Sequence, residues 1–176
     1  FRLGIYLVIL CLPFYLIRFS LLGMPFTVLE GFLLILFTVW IIRIKLPIVK
    51  NVVSGHFFYL SLFFILSATI VLLYSPNLRG ALGIWKAYFL EPVLFFYILL
   101  GENNDKHFLK NILISLYLLG FYLSILGIYQ LLTNSMPEPW NLGLDGRITS
   151  FFEYPNALAL LLAPILVVSF SDVVAS

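Results

Sequence analysis

NILISLYLLGFYLSILGIYQLL, residues 111–132, runs for 22 positions without a charged side chain. A helix needs about 20 apolar residues to cross the hydrocarbon core of a bilayer, so this block reads as one membrane span. Its apolar residues fill the whole circumference of a helix instead of recurring as a stripe, which suits lipid and not water. Five further blocks, 3–22, 26–42, 52–74, 81–100 and 155–171, have comparable length and character. They predict an all-α, polytopic transmembrane bundle of about six spans. The breaks between them, Gly23-Met24-Pro25, Arg43 to Lys50, Ser75 to Gly80, Gly101 to Lys110 and Thr133 to Tyr154, carry turn or charged residues.

Composition agrees. Hydrophobic residues make up 62% and charged residues 10% of the 176 positions, against roughly 45–50% and 25% in soluble domains, which excludes a soluble domain. The net charge of +2 is dispersed and contains no basic run, which argues against nucleic acid as a partner. The single cysteine, Cys11, excludes an intramolecular disulfide and sits in an apolar block, where a packing role outweighs a nucleophilic one. Residues 1–176 are expected to form one transmembrane domain, the N-terminal half of a larger membrane protein, because the chain opens on Phe1 and stops soon after an apolar block.

Lys and Arg concentrate in cytoplasmic loops. Arg2, Arg43, Lys45, Lys50, Lys106 and Lys110 fall on one side of the alternating topology, and only Arg18, Arg79 and Arg147 on the other. The N-terminus is therefore expected in the cytoplasm and residues 133–154 in an extracytoplasmic loop. Within the fifth block, Gly120, Ser124 and Gly127 form a small-residue face for close helix packing. Trp40, Tyr74 and Trp140 suit interfacial anchors.

Ionisable groups inside spans are costly, and three stand out: Glu30, Lys86 and Glu91. Counted inward at about 1.5 Å per residue, Glu30 lies about seven ångströms past Pro25 and Lys86 about nine past Gly80, so the two can pair across helices. Glu91 lies deeper and precedes Pro92, which removes a helical hydrogen bond and tends to kink the span. Two readings stand for these charges: mutual neutralisation that holds the bundle together, or a direct ligand role. Arg79 and Lys86, seven residues apart, share a helical face and suit an anion such as a lipid phosphate or pyrophosphate; snorkelling to headgroups is the alternative for Arg79.

The segment GLDGRITSFFEYPN, Gly143 to Asn156, pairs a tight Asp145-Gly146 turn presenting Arg147 with Pro155 and Asn156, which suit the start and polar capping of the next helix. His56 and His107 have no ligand-spaced partners, and neither a glycine-rich phosphate loop nor a nucleophile elbow occurs. No metal or cofactor is expected.

RITSFFEYPNALALLL, Arg147 to Leu162, resembles the Arg, Phe, Pro-Asn, Leu-Ala pattern of the O-antigen ligase and polymerase superfamily. PFYLIRF at 13–19, GMPFTVLE at 23–30 and RGALGIWKAYFLEPVLFFY at 79–97 resemble segments seen upstream in its bacterial members. The resemblance implies a bacterial inner-membrane glycosyltransferase of about a dozen spans in all, with this chain as its N-terminal half. Such enzymes move a glycan from a polyprenyl-pyrophosphate donor, normally undecaprenyl-linked, to lipid A core, a growing polysaccharide or a protein on the extracytoplasmic face. It further implies Arg147, and after it Arg79, Lys86 and Arg18, as contacts to the pyrophosphate, with Glu30, Glu91 and Asn156 in support and membrane lipids around. The family's catalytic arginine and histidine come later in the chain, so no catalytic base is assigned. The rival reading is a secondary transporter or lipid-linked glycan flippase that uses Glu30, Lys86 and Glu91 near the midplane.

Overall fold

The computed structural model describes residues 1–21, 24–43, 55–102, 105–136 and 147–175, and these are mostly helical. Among the described residues six helices follow one another: α1 (Arg2–Leu10), α2 (Val28–Arg43), α3 (His56–Leu73), α4 (Leu78–Glu102), α5 (Lys106–Thr133) and α6 (Pro155–Ala175). Three segments among the described residues are long and apolar enough to cross a membrane: α4, α5 and, within α6, Pro155–Val174. At 16 and 18 residues, α2 and α3 are shorter, and the expectation of about six full-length spans is met by the structure only in this coarser form.

The first apolar block departs furthest from expectation. Instead of one helix over 3–22, α1 stops at Leu10 and a 3₁₀ helix (Leu12–Leu16) follows. Pro13 is the cause: it has no N–H for the next helical bond, and its ring clashes with the carbonyl four residues back. The freed Leu10 carbonyl accepts the Tyr122 hydroxyl of α5 at 2.6 Å, so the break leaves no orphaned acceptor there. Strands β1 (Arg18–Leu21) and β2 (Met24–Thr27) then pair antiparallel, with Arg18 opposite Thr27 and Phe19 opposite Phe26. The fold is therefore not purely α. Pairing within the hairpin satisfies backbone groups that apolar surroundings would otherwise leave costly.

The two short helices together rise roughly 24 Å, from helical rises of about 1.5 and 2.0 Å per residue, so the chain still passes from one pole of the molecule to the other. At one pole, the inner one in the expected topology, Arg2 reaches Glu102 (3.4 Å) and Asp105 (3.3 Å), and the Arg43 guanidinium lies 5.6 Å from the Phe1 ring centroid. At the other, the outer pole of that expectation, Arg18 reaches Glu153 (3.2 Å).

Helix α1 packs on α5, α2 on α4, α3 on α4 and α5 on α6. The core lies where Ile5, Val8 and Ile9 meet Leu119, Leu123 and Phe108. The buried stripe of α5 runs Leu119, Gly120, Leu123, Gly127, Gln130, at three- and four-residue spacing. Gly120 and Gly127 are on it as expected; Ser124 is exposed and donates to the Gly120 carbonyl of its own helix at 2.8 Å. Most large apolar side chains of the other faces, such as Leu132 and Ile42, are uncovered, as on helices surrounded by lipid. Trp140, Lys45, Lys50 and the Asp145-Gly146 turn lie outside the described residues.

Candidate functional site

The sequence TVLE at 27–30 folds into a capping box that starts α2. The Thr27 N–H donates to Glu30 Oε2 and the Glu30 N–H donates to Thr27 Oγ1, each at 3.1 Å. This reciprocal pair satisfies two donors that a helix start leaves open. The same Glu30 Oε2 accepts from Lys86 Nζ at 2.8 Å, which joins α2 to α4. Lys86 also donates to the Pro25 carbonyl (3.2 Å) and lies 3.7 Å from the centroid of the Phe26 ring. Glu30 is 5% exposed, so its charge depends on this ammonium. The pairing expected from matched depths is present, and the hairpin strand β2 wraps it. The capping-box signal, Thr followed three residues later by Glu before an apolar run, was available in the sequence.

Lys86 opens a π-turn, Lys86–Leu90, within α4. The Glu91 N–H donates to the Lys86 carbonyl, five residues back. Pro92 explains the widening, because a regular turn would drive its ring into the Tyr88 carbonyl and supply no donor to it. The Glu91 side chain is buried, and its carboxyl makes no hydrogen bond among the described residues; it stands beside a void of about 10 Å³ lined by Leu33, Phe37, Leu94 and Ile98. It lies within electrostatic range of both Glu30 and Lys86.

Segment 147–154 closes the outer pole. The carboxamide of Gln130, 4% exposed near the end of α5, accepts from the N–H groups of Thr149 and Ser150 (both 2.8 Å) and donates to Thr149 Oγ1 (2.9 Å). Ser150, at φ 51°, donates its hydroxyl to the Leu123 carbonyl at 3.1 Å. Gly127 permits this approach, because a Cβ there would stand 2.9 Å from Ile148 Cγ2. The far end of the segment is tied by Arg18–Glu153 and by Tyr15 against Phe152, ring centroids 6.2 Å apart. Tyr15 also lies within electrostatic range of Glu153, Tyr154 and Tyr88.

The candidate residues thus divide. Glu30 and Lys86 bind each other, with Glu91 nearby; Arg18 is engaged with Glu153. Arg147 and Arg79 are exposed and carry no hydrogen bond or ion pair among the described residues. Asn156 is exposed in the first turn of α6, after Pro155 as first helical residue. The cap expected of it is not made: the Ala157 N–H bonds the Tyr154 carbonyl instead, at 3.1 Å. Sequence reasoning passed over Gln130, whose signal was an uncharged polar residue in register with Gly120, Leu123 and Gly127. No protein-family model, no curated protein and no solved structure matches the chain.

Proposed function

We propose that the chain is the N-terminal half of a membrane glycosyltransferase of the O-antigen ligase or polymerase type, transferring a glycan from a polyprenyl-pyrophosphate donor on the extracytoplasmic face. In this reading it lies in a bacterial inner membrane with a cytoplasmic N-terminus, and six crossings are completed by the shorter helices. The observation that carries the proposal is Arg147: an exposed guanidinium, with no hydrogen bond or ion pair among the described residues, beside a backbone held on α5. A pyrophosphate leaving group needs its developing charge stabilised and its position fixed more than it needs a strong base. Guanidinium supplies a bidentate donor pair for that purpose. Arg79 adds positive charge at the same face, whereas Arg18 is paired with Glu153 and Lys86 is committed to Glu30 and β2, so that these two act by holding the hairpin and the 147–154 segment. The rival, transport through Glu30, Lys86 and Glu91, requires a mobile carboxylate, and Glu30 is tied into the helix cap.

The test is glycan transfer by purified full-length protein. Arg147→Ala is expected to insert and fold normally and to lose roughly ten- to a hundredfold of its activity, the loss of one charge-assisted hydrogen bond of about 1.5–3 kcal/mol. Arg147→Lys is expected to be intermediate, since it keeps the charge without the fork. Full activity per folded molecule in the alanine variant removes Arg147 from the site; donor-independent substrate movement in vesicles, abolished by Glu91→Gln, favours transport.

A further inference from the structure

Gln130 is a polar side chain buried near the end of the long apolar helix α5, and nothing in the chemistry proposed above calls on it. Desolvating a carboxamide is expensive unless its hydrogen bonds are recovered. Here three are recovered, and all go to two consecutive residues, Thr149 and Ser150. A fourth bond, from the Ser150 hydroxyl to the Leu123 carbonyl, and the space left by Gly127 for Ile148 complete the contact of residues 148–150 with α5. Arg147 immediately precedes this clamped tripeptide and is exposed.

We infer that Gln130 is a positioning residue for Arg147: its carboxamide fixes the backbone of 148–150 on α5 and thereby sets where the Arg147 guanidinium meets a diphosphate anion. The inference rests on the reading of Arg147 as an anion contact. Fixing the backbone one residue away restricts where the guanidinium starts, so less of its freedom is lost when the anion binds. Displacement by about one ångström of a group that must meet a reacting centre can cost on the order of a hundredfold. The buried amide thus acts on the anion only through Arg147.

The experiment measures calorimetric affinity for inorganic pyrophosphate, per folded molecule, of the full-length protein in nanodiscs of zwitterionic lipid. Arg147→Ala is expected to weaken binding roughly tenfold or more, as loss of a charge-assisted bond should. Gln130→Leu, close in volume but without the three bonds, is expected to weaken it to a similar extent with Arg147 present and to add nothing when Arg147 is already alanine. That dependence on background is the signature of a residue acting through another. Unchanged affinity in Gln130→Leu overturns the inference and leaves the Arg147 reading standing. Equal weakening in both backgrounds overturns it too, because Gln130 then acts independently. Unchanged affinity in Arg147→Ala sinks both. Should Gln130→Leu fail to fold, Thr149→Val, which removes only the bond from the carboxamide nitrogen, makes the same comparison: a smaller weakening confined to the arginine background supports the clamp, and none, or one seen in both backgrounds, defeats it.

Discussion

Glu30 carries two structural duties on one oxygen, and substitutions can separate them. Glu30→Gln keeps a side chain able to close the capping box but strands the Lys86 ammonium, and Lys86→Met strands the carboxylate. Breaking a buried pair from one side costs about 3–5 kcal/mol, so each single change should lower thermal stability in detergent markedly, and the double change should recover much of the loss. A strictly additive double-mutant cycle would show that the two are not coupled. Thr27→Ala removes the cap and spares the charge, for a smaller loss of about 0.5–2 kcal/mol. At the inner pole Asp105 caps α5 by accepting from the His107 N–H at 2.9 Å, and with the Arg2 guanidinium this holds its carboxyl below the usual range against the opposing effect of desolvation. A depressed folded-state value means the contribution is complete above the ordinary aspartate value of about 3.9 and disappears as pH falls through the lower folded one. Asp105→Asn should therefore flatten the acid limb of a melting-temperature profile, and an unchanged limb would exclude this carboxyl as its source.

At the scale of elements, α5 organises the fold: it takes α1 on one side, α6 on another and the 147–150 segment at its outer end. Its two buried glycines are not equivalent. A Cβ at Gly120 would stand 3.2 Å from Ile165 Cγ2, which a small side-chain shift relieves. At Gly127 the distance is 2.9 Å to a residue whose backbone neighbours are clamped by Gln130. Alanine gains about 0.5–1 kcal/mol of helix propensity over glycine, whereas overpacking costs about 1–3 kcal/mol. Gly120→Ala should then be near neutral and Gly127→Ala destabilising, with Ile148→Ala restoring the latter. Equal effects of the two alanines on detergent denaturation would contradict the close approach at Gly127. In α4 the π-turn starts at Lys86, so the residue that pairs with Glu30 also begins the widening that accommodates Pro92.

For the whole molecule, charged groups gather at two opposite ends. Arg2, Arg43, Glu102 and Asp105 meet at one end, and Arg18, Glu153 and the hairpin at the other. Helix α5, 28 residues and roughly 42 Å long, connects them and exceeds a hydrocarbon core of about 30 Å. In a Cys11→Ala background, cysteines at Lys106 and Ser135 should label from opposite faces of intact cells, the second from outside. Labelling of both from one face would refute the orientation.

Sequence alone pointed to long apolar helices, because long runs without charge suit lipid, and three helices among the described residues are long and apolar enough to cross a membrane. The start of α6 at Pro155 and the Glu30–Lys86 pair were legible for similarly local reasons: a fixed φ in one case, the cost of lone charges at matched depth in the other. The break in the first block was also written locally, in Pro13, yet hydropathy averages over a proline and hides it. Tertiary structure decided the rest. The hairpin exists because two four-residue strands satisfy each other's backbone beside the ends of α2 and α4, and the clamp on 148–150 exists because Gln130, Gly127 and Leu123 share a helical face that meets a segment roughly twenty residues on. Bonds between residues that far apart depend on where the chain returns, and no window of sequence contains that information.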